Sequence, residues 1–251
     1  MVGERRISAV IQARMGSTRL PGKVLLPLGD RPVLWHLIER LKTAEWLDEI
    51  VVATTEEEED DSIADFVEVL KEEKVRLFRG PEEDVLSRYY LALREDPPDL
   101  VVRVTGDSPL VCVEHMREMV DHLVAEGLDG VDAHHEATGL TVGFGSEVYR
   151  YQAICDAYLL AMHPEEREHV SLFIKRRPQA FSVAYLKPEA GLCSKARLTL
   201  DTPEDYGLLS EVYRRFYRRG RIVDCRQVLE WLGEHPYLMN GAYEEGRRSI
   251  R

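Results

Sequence analysis

Ile7-Ser8-Ala9-Val10-Ile11 followed by Gln12-Ala13-Arg14-Met15-Gly16-Ser17-Thr18-Arg19-Leu20-Pro21-Gly22-Lys23 is the stretch on which the fold turns. The first five residues read as a short buried strand, apolar on both faces as strands of a parallel sheet are. The next twelve gather Arg14, Arg19 and Lys23 with two glycines and two hydroxyl residues into one loop. In open α/β sheets ligands bind outside the carboxyl ends of the strands, which is where this loop falls. Glycine lets backbone N–H groups come close to a phosphate, and Arg and Lys neutralise its charge. A polyphosphate is therefore the expected guest, against the plainer alternative of a cationic surface loop. A Walker A loop has four residues between its glycines and Ser or Thr after the Lys. Here five residues separate Gly16 from Gly22, and Val24 follows Lys23. Gly143-Phe144-Gly145-Ser146-Glu147-Val148 lacks the third glycine of a dinucleotide fingerprint and follows no first strand.

Outward from the loop the chain alternates β-branched runs with helical spacings, the pattern of an α/β fold with a mostly parallel sheet. Strands are expected at 50–53, 75–78 and 100–104, the last being the most hydrophobic. Helical spacing appears in Val33, Leu34, Leu37, Ile38 and Leu41, and again in Ile63, Phe66, Val67 and Leu70 after the capping candidates Asp60, Asp61 and Ser62. A third helix carries Val85, Leu86, Tyr89, Tyr90 and Leu93, with Pro97-Pro98 as its stop. A fourth carries Met116, Met119, Val120 and Leu123, ending near Gly127. Beyond Gly130 the rhythm changes: helices are expected around 147–161 and 165–176, strands at 181–185 and 197–200, then two C-terminal helices. With no linker-like composition and no repeat, the second part is expected to extend the same sheet. Residues 1–240 then form one domain, and 241–251 a polar tail.

Composition narrows the function. The 251 residues include 45 acidic and 33 basic ones, for a net charge of -12, and such a surface excludes a general nucleic-acid binder. No run reaches the roughly 18 apolar residues of a membrane helix. Residues 1–7 lack the apolar core of a signal peptide. Cys112, Cys155, Cys193 and Cys225 are scattered without a C-x-x-C pair, so they read as buried thiols of a reducing compartment. A cytoplasmic enzyme is the expectation, with no membrane and no nucleic-acid partner. The acidic run Glu56 to Asp61 reads as a solvated helix start. His134 and His135 read as loop residues, since nothing at zinc spacing completes a site.

Asp107, in Thr105-Gly106-Asp107-Ser108-Pro109, follows the most hydrophobic strand, where a carboxylate suits a magnesium–phosphate complex. Asp201 falls in the same position after Arg197-Leu198-Thr199-Leu200, while Thr202-Pro203-Glu204 reads as the start of a helix. Asp84 and Arg88 stand i, i+4 on a helix, where a surface ion pair is the ordinary reading. Arg103 reads either as a strand cation steering an anion or as the partner of a neighbouring acid.

The segment Arg14 to Lys23 resembles the N-terminal signature of the cytidylyltransferases that activate acidic sugars, CMP-KDO synthetase and CMP-sialic acid synthetase among them. Among the branches of that family it is most similar to the one named for spore coat polysaccharide biosynthesis protein F. Further matches run in order: Ala53-Thr54-Thr55, Gly80 to Tyr89, Arg103 to Leu110, Gly145-Ser146-Glu147-Val148, Glu168-His169-Val170 and Arg197 to Asp205. The resemblance spans about residues 7–235.

It implies a single-domain, Rossmann-like nucleotide-diphospho-sugar transferase fold, with a mostly parallel central sheet flanked by helices. It also implies Mg2+-dependent transfer of CMP from CTP to a sugar acid or related acceptor, with pyrophosphate released, in surface polysaccharide and cell-envelope biosynthesis. Arg14, Lys23 and Asp107 are the implied catalytic residues, Arg14, Arg19 and Lys23 holding the β- and γ-phosphates. Asp107 and Asp201 are the implied metal pair. The nucleotide is expected to touch Gln12, Ala13, Arg14, Gly16, Ser17, Arg19, Lys23, Thr54, Asp84, Arg88, Arg103 and Gly106, with the base near Gln12-Ala13 and Ala53-Thr54-Thr55. Glu147 and His169 are expected on the sugar side, and a homodimer through about residues 130–190. No general base is evident, as suits chemistry that rests on positioning and charge neutralisation. Two alternatives stand beside this. A nucleotide-sugar-dependent glycosyltransferase usually carries Asp-x-Asp where this chain has Gly106-Asp107-Ser108. A non-catalytic nucleotide-binding homologue in a polysaccharide assembly complex is the other. One departure from the branch is Val111-Cys112-Val113 after Pro109-Leu110.

Overall fold

The computed structural model describes residues 5–239. Seven strands form one sheet: β1 (Ile7–Gln12), β2 (Glu49–Thr55), β3 (Val75–Gly80), β4 (Leu100–Thr105), β5 (Gly130–Asp132), β6 (Glu147–Arg150) and β7 (Val183–Tyr185). Their order is β3-β2-β1-β4-β6-β5-β7. β1 lies between β2 and β4, with Ile11 opposite Val52 and Val104. All pairings are parallel except those of β6, which runs antiparallel to both β4 and β5.

Apolar residues of the central strands alternate between two cores, and this is why β1, β2 and β4 read as unbroken hydrophobic runs. Ala9, Ile11, Ile50, Val52, Val102 and Val104 face one core. It is covered by α1 (Val33–Lys42), α2 (Asp61–Leu70) and, further along the chain, helices at 113–126, 203–216 and 225–234. Val10, Val51, Ala53 and Val101 face the other, under α3 (Val85–Leu93) and a helix at 151–160. The remaining helices are α4 (Val113–Glu126), α5 (His135–Thr138), α6 (Tyr151–Leu160), α7 (Pro164–Glu168), α8 (Leu172–Lys175), α9 (Pro203–Phe216) and α10 (Cys225–Glu234). α4 ends at Gly127, and α9 begins with a capping box in which Thr202 and Asp205 bond each other's backbone N–H.

The second half does extend the same sheet, but three elements depart from the expected reading. Residues 147–150 are not the start of a helix: Val148 and Tyr149 enter opposite cores, so the segment follows a period of two and forms β6. The expected helix at 165–176 is broken into α7 and α8 at His169, whose backbone leaves the helical region. Residues 197–200 do not join the sheet. Arg197 makes an isolated bridge to Val142, and Leu200 N–H donates to the Asp107 carbonyl at 2.8 Å. The polar tail at 241–251 lies outside the described residues.

Candidate active site

The loop after β1 is shaped by its own backbone. Ser17 N–H and Gly22 N–H both donate to the Met15 carbonyl, at 2.8 and 2.9 Å. Gly22 takes a left-handed φ of 68°, which costs glycine little, and so turns the chain into the 3-10 turn that starts at Lys23. Lys23 Nζ then reaches Asp107 Oδ2 at 2.7 Å and Asp201 Oδ1 at 2.8 Å. Arg19 lies 3.4 Å from the same Asp201 oxygen, and Arg197 pairs with Asp201 from the other side. Asp201 stands just ahead of the α9 cap, which Thr202 supplies, so its carboxylate is left to face Lys23. Burial alone would raise the Asp107 carboxyl, but the Lys23 ammonium outweighs it and holds the group below the usual carboxylate range. Burial likewise disfavours the charged Lys23, yet Asp107 and Asp201 keep its ammonium protonated beyond the ordinary lysine range.

Nine expected site residues meet here: Gln12, Ala13, Arg14, Ser17, Arg19, Lys23, Gly106, Asp107 and Asp201 line one depression of about 270 Å3 at the carboxyl edge of the sheet. Some of them are placed otherwise than expected. The loop is not a bare cationic island, because Arg14 pairs with Glu82 at 2.7 Å and Lys23 with both aspartates. Gly106 lines the depression but spends its N–H on the Gln12 carbonyl, and it has to be glycine because a Cβ there would stand 2.9 Å from that oxygen. Gly16 sits against Glu59, outside that lining.

A second depression of about 420 Å3 shares Gln12, Ala13 and Arg14 with the first and adds Val85, Arg88, Pro164, Glu168 and His169. His169 thus lies with Arg88, not with Glu147. Thr54 reaches none of these depressions; it is fully buried and its hydroxyl finds no partner. Asp84 does not pair with Arg88. Its carboxylate caps α3 by accepting from Ser87 and is held by Arg167 at 2.6 Å.

A third depression of about 220 Å3 joins the first at Thr105 and is lined by Arg103, Asp132, Glu147, His134 and His135, among others. Arg103 is the partner of an acid, Glu147, at 3.1 Å, and its Nε also donates to Gln12 Oε1 at 3.2 Å. Lys175 spans Glu147 at 2.9 Å and Asp132 at 2.6 Å. Burial pushes Glu147 up, but Arg103 and Lys175 win and bring its carboxyl down to about 2. Asp132 goes the other way, raised by burial and by Glu147.

Sequence reasoning missed Asp60, Asp132, Lys175 and the two histidines as site residues. Asp60 is not solvated with the rest of its acidic run; it is fully buried and accepts from Met15 N–H at 2.6 Å, Thr55 N–H at 3.1 Å and the Thr55 hydroxyl. Asp132 ends the unforeseen strand β5, the positional cue that exposed Asp107. For Asp60 and Lys175 the sequence carries no such cue.

The chemistry available is the gripping of a polyanion by Arg14, Arg19 and Lys23, beside two carboxylates that converge on one cationic centre. Among the described residues no three His, Cys, Asp or Glu side chains form a metal cage. A pair of carboxylates fits magnesium, which completes its shell with water and substrate phosphates.

The family model for cytidylyltransferases matches residues 8–228. An uncharacterized protein of Methanocaldococcus jannaschii is 40% identical over 236 residues, covering 94% of this chain and 93% of that one. Spore coat polysaccharide biosynthesis protein SpsF of Bacillus subtilis is 33% identical over 233 residues, 90% and 94% of the two chains. A solved cytidylyltransferase from Leptospira borgpetersenii superposes with a TM-score of 0.84 at 30% identity, over 94% of this chain and 97% of that one. With the match running from β1 through the aspartate before α9 and into α10, the chain belongs to the cytidylyltransferase family.

Proposed function

We propose that the chain transfers CMP from CTP to a sugar acid or related acceptor, releases pyrophosphate, and serves surface polysaccharide biosynthesis. The observation that carries this is the Lys23 ammonium held between Asp107 and Asp201 beneath a cationic loop. In this reading the triphosphate lies in the first depression, and Arg14, Arg19 and Lys23 offset the charge that builds on the departing pyrophosphate. Asp107 and Asp201 are the residues that would hold Mg2+, which when bound supplies further charge neutralisation at the phosphates. The third depression, adjoining at Thr105, takes the acceptor, whose hydroxyl is thereby positioned for in-line attack on the α-phosphorus. The name of the Bacillus subtilis relative supports the polysaccharide context, and the motif series shared with enzymes of acidic sugars supports the acceptor class. Exposed Leu159, Leu160 and Met162 at the end of α6 support a homodimer through the 130–190 segment, which sedimentation would test.

The test crosses the four nucleoside triphosphates with a panel of sugar acids and sugar phosphates, reading pyrophosphate release. CTP with a sugar acid is the expected productive pair; release of a nucleoside diphosphate instead would favour a glycosyltransferase. Asp107→Asn is expected to lower magnesium-dependent release at least about a hundredfold with the fold intact. A folded, fully active variant would overturn the metal assignment.

A further inference from the structure

Two of the four scattered cysteines meet in the fold. Cys112 closes the segment that begins at Asp107 and caps α4, and Cys225 is the first residue of α10. Both are buried, and their thiols are hydrogen-bonded to each other. Cys225 Sγ also lies 3.3 Å from the carbonyl oxygen of Leu110, two residues before Cys112. The surroundings of Cys225 are not those of an inert apolar filler. It stands at the positive end of α10, and Arg40 Nη1 reaches its sulfur at 3.6 Å. The other Arg40 donors go to uncharged carbonyls, Nε to Pro109 at 3.1 Å and Nη2 to Val223. A cation and a helix N-terminus favour the thiolate, which is the reactive form. The bond from Cys112 and the Arg40 guanidinium hold Cys225 below the usual thiol range against burial, while that bond and burial keep Cys112 above it. A fourth depression, of about 490 Å3, leads to this pair. Arg40 and Val223 line it together with Trp35, Tyr213 and Tyr217, and it shares no lining residue with the three at the site.

We infer that Cys112 and Cys225 form a reversible disulfide, made by a small hydroperoxide that enters through this depression. The Cys225 thiolate attacks a peroxide oxygen, the O–O bond breaks, and the leaving hydroxide takes up the thiol proton to depart as water. Cys112 then attacks the sulfur of the resulting sulfenic acid; its own proton and the displaced hydroxide leave as a second water. Two thiols are thus oxidised by two electrons as one peroxide is reduced. The bond fastens α10 to the segment that starts with Asp107. That segment is already held from the C-terminal half, since the Pro109 carbonyl accepts from the Tyr213 hydroxyl of α9 at 3.1 Å. Cys155, half-buried, and Cys193, exposed, stand apart from this pair and serve as internal controls. Closing a loop of roughly 110 residues constrains the unfolded chain, so the oxidised form is the more stable one.

The full chain, reduced with dithiothreitol and then freed of it, is exposed to a few equivalents of hydrogen peroxide. It is then denatured, alkylated and digested without reductant for mass spectrometry. The expected product joins the peptides that hold Cys112 and Cys225, two hydrogens lighter than their sum, with Cys155 and Cys193 alkylated. The thermal midpoint should rise by at least about 5 °C and fall back when dithiothreitol is restored. Cys112→Ala should halt the reaction at a Cys225 sulfenic acid, captured by dimedone, whereas Cys225→Ala should leave Cys112 unoxidised. Alkylation of all four thiols after peroxide would overturn the inference. So would a link to Cys155 or Cys193, or a link that forms only after the chain is unfolded in urea. Should an alanine variant fail to fold, the wild-type peptide map decides alone.

Discussion

At Gly106 two strand ends approach as closely as backbone allows. A methyl group there would meet the Gln12 carbonyl oxygen at 2.9 Å, Ala13 Cβ at 3.1 Å and Val24 Cγ1 at 3.2 Å, and the first of these is backbone that cannot swing aside. Gly106→Ala is therefore expected to destabilise by about 1–3 kcal/mol, the usual cost of overpacking, and to push the β1 loop off Asp107. Urea denaturation would read the first effect and nucleotide affinity the second. Single residues were legible in the sequence where position and chemistry coincide. Lys23, Asp107 and Asp201 are charged groups at the ends of apolar segments, and the structure joins all three. Thr54 illustrates the opposite case. It sits at the carboxyl end of a strand too, yet a side chain's face is set by the pleat, and here the pleat turns it inward.

The loop from Gln12 to Lys23 is an element in its own right, and Asp60 is its anchor. One carboxylate, 45 residues beyond Met15 in the chain, ties that loop residue to Thr55 at the end of β2. Asp60→Ala leaves those N–H groups unmet, which should cost about 1–3 kcal/mol. It should also loosen the loop, seen as faster proteolytic cleavage between 14 and 23 and weaker CTP binding. An unchanged cleavage rate would show that the loop holds its shape unaided. Strands with both faces buried announced themselves through continuous apolar runs, which is why β1, β2 and β4 were legible. β5, β6 and β7 were not, or only partly. They are three or four residues long, and β6 carries Glu147 and Arg150 beside its two core residues, too brief a signal to separate a period of two from the helix next to it in the chain.

Across the whole molecule the net charge of -12 says little about the site, because the decisive charges are internal and nearly balanced. Arg103, Glu147, Lys175 and Asp132 link β4, β6, α8 and β5 into one buried ionic network. Glu147 titrates near 2 in the folded chain against an ordinary value of 4.5. A carboxyl held low when folded contributes stability that is complete above the unfolded value. That contribution is lost as pH falls through the folded one. The protein should therefore weaken between about pH 4.5 and 2. Glu147→Gln takes the carboxylate from Arg103 while Lys175 keeps Asp132, and should cost about 1–3 kcal/mol at neutral pH, while flattening the acid slope. Urea midpoints at pH 3 and pH 7 would check both.

The sheet order β3-β2-β1-β4-β6-β5-β7 also fixes a sequence of events in time. A ribosome has delivered β1 to β4, the loop and Asp107 once residue 107 is out, but Asp201 stands 178 residues after the lysine it shares. β4 is an open edge, inviting pairing with other chains, until β6 emerges to cover it, and the site at Lys23 lacks its second carboxylate until Asp201 follows. Completion of the site is thus a late event in biosynthesis: a chain cut short just before Asp201 has all seven strands of the sheet, yet holds the Lys23 ammonium with Asp107 alone.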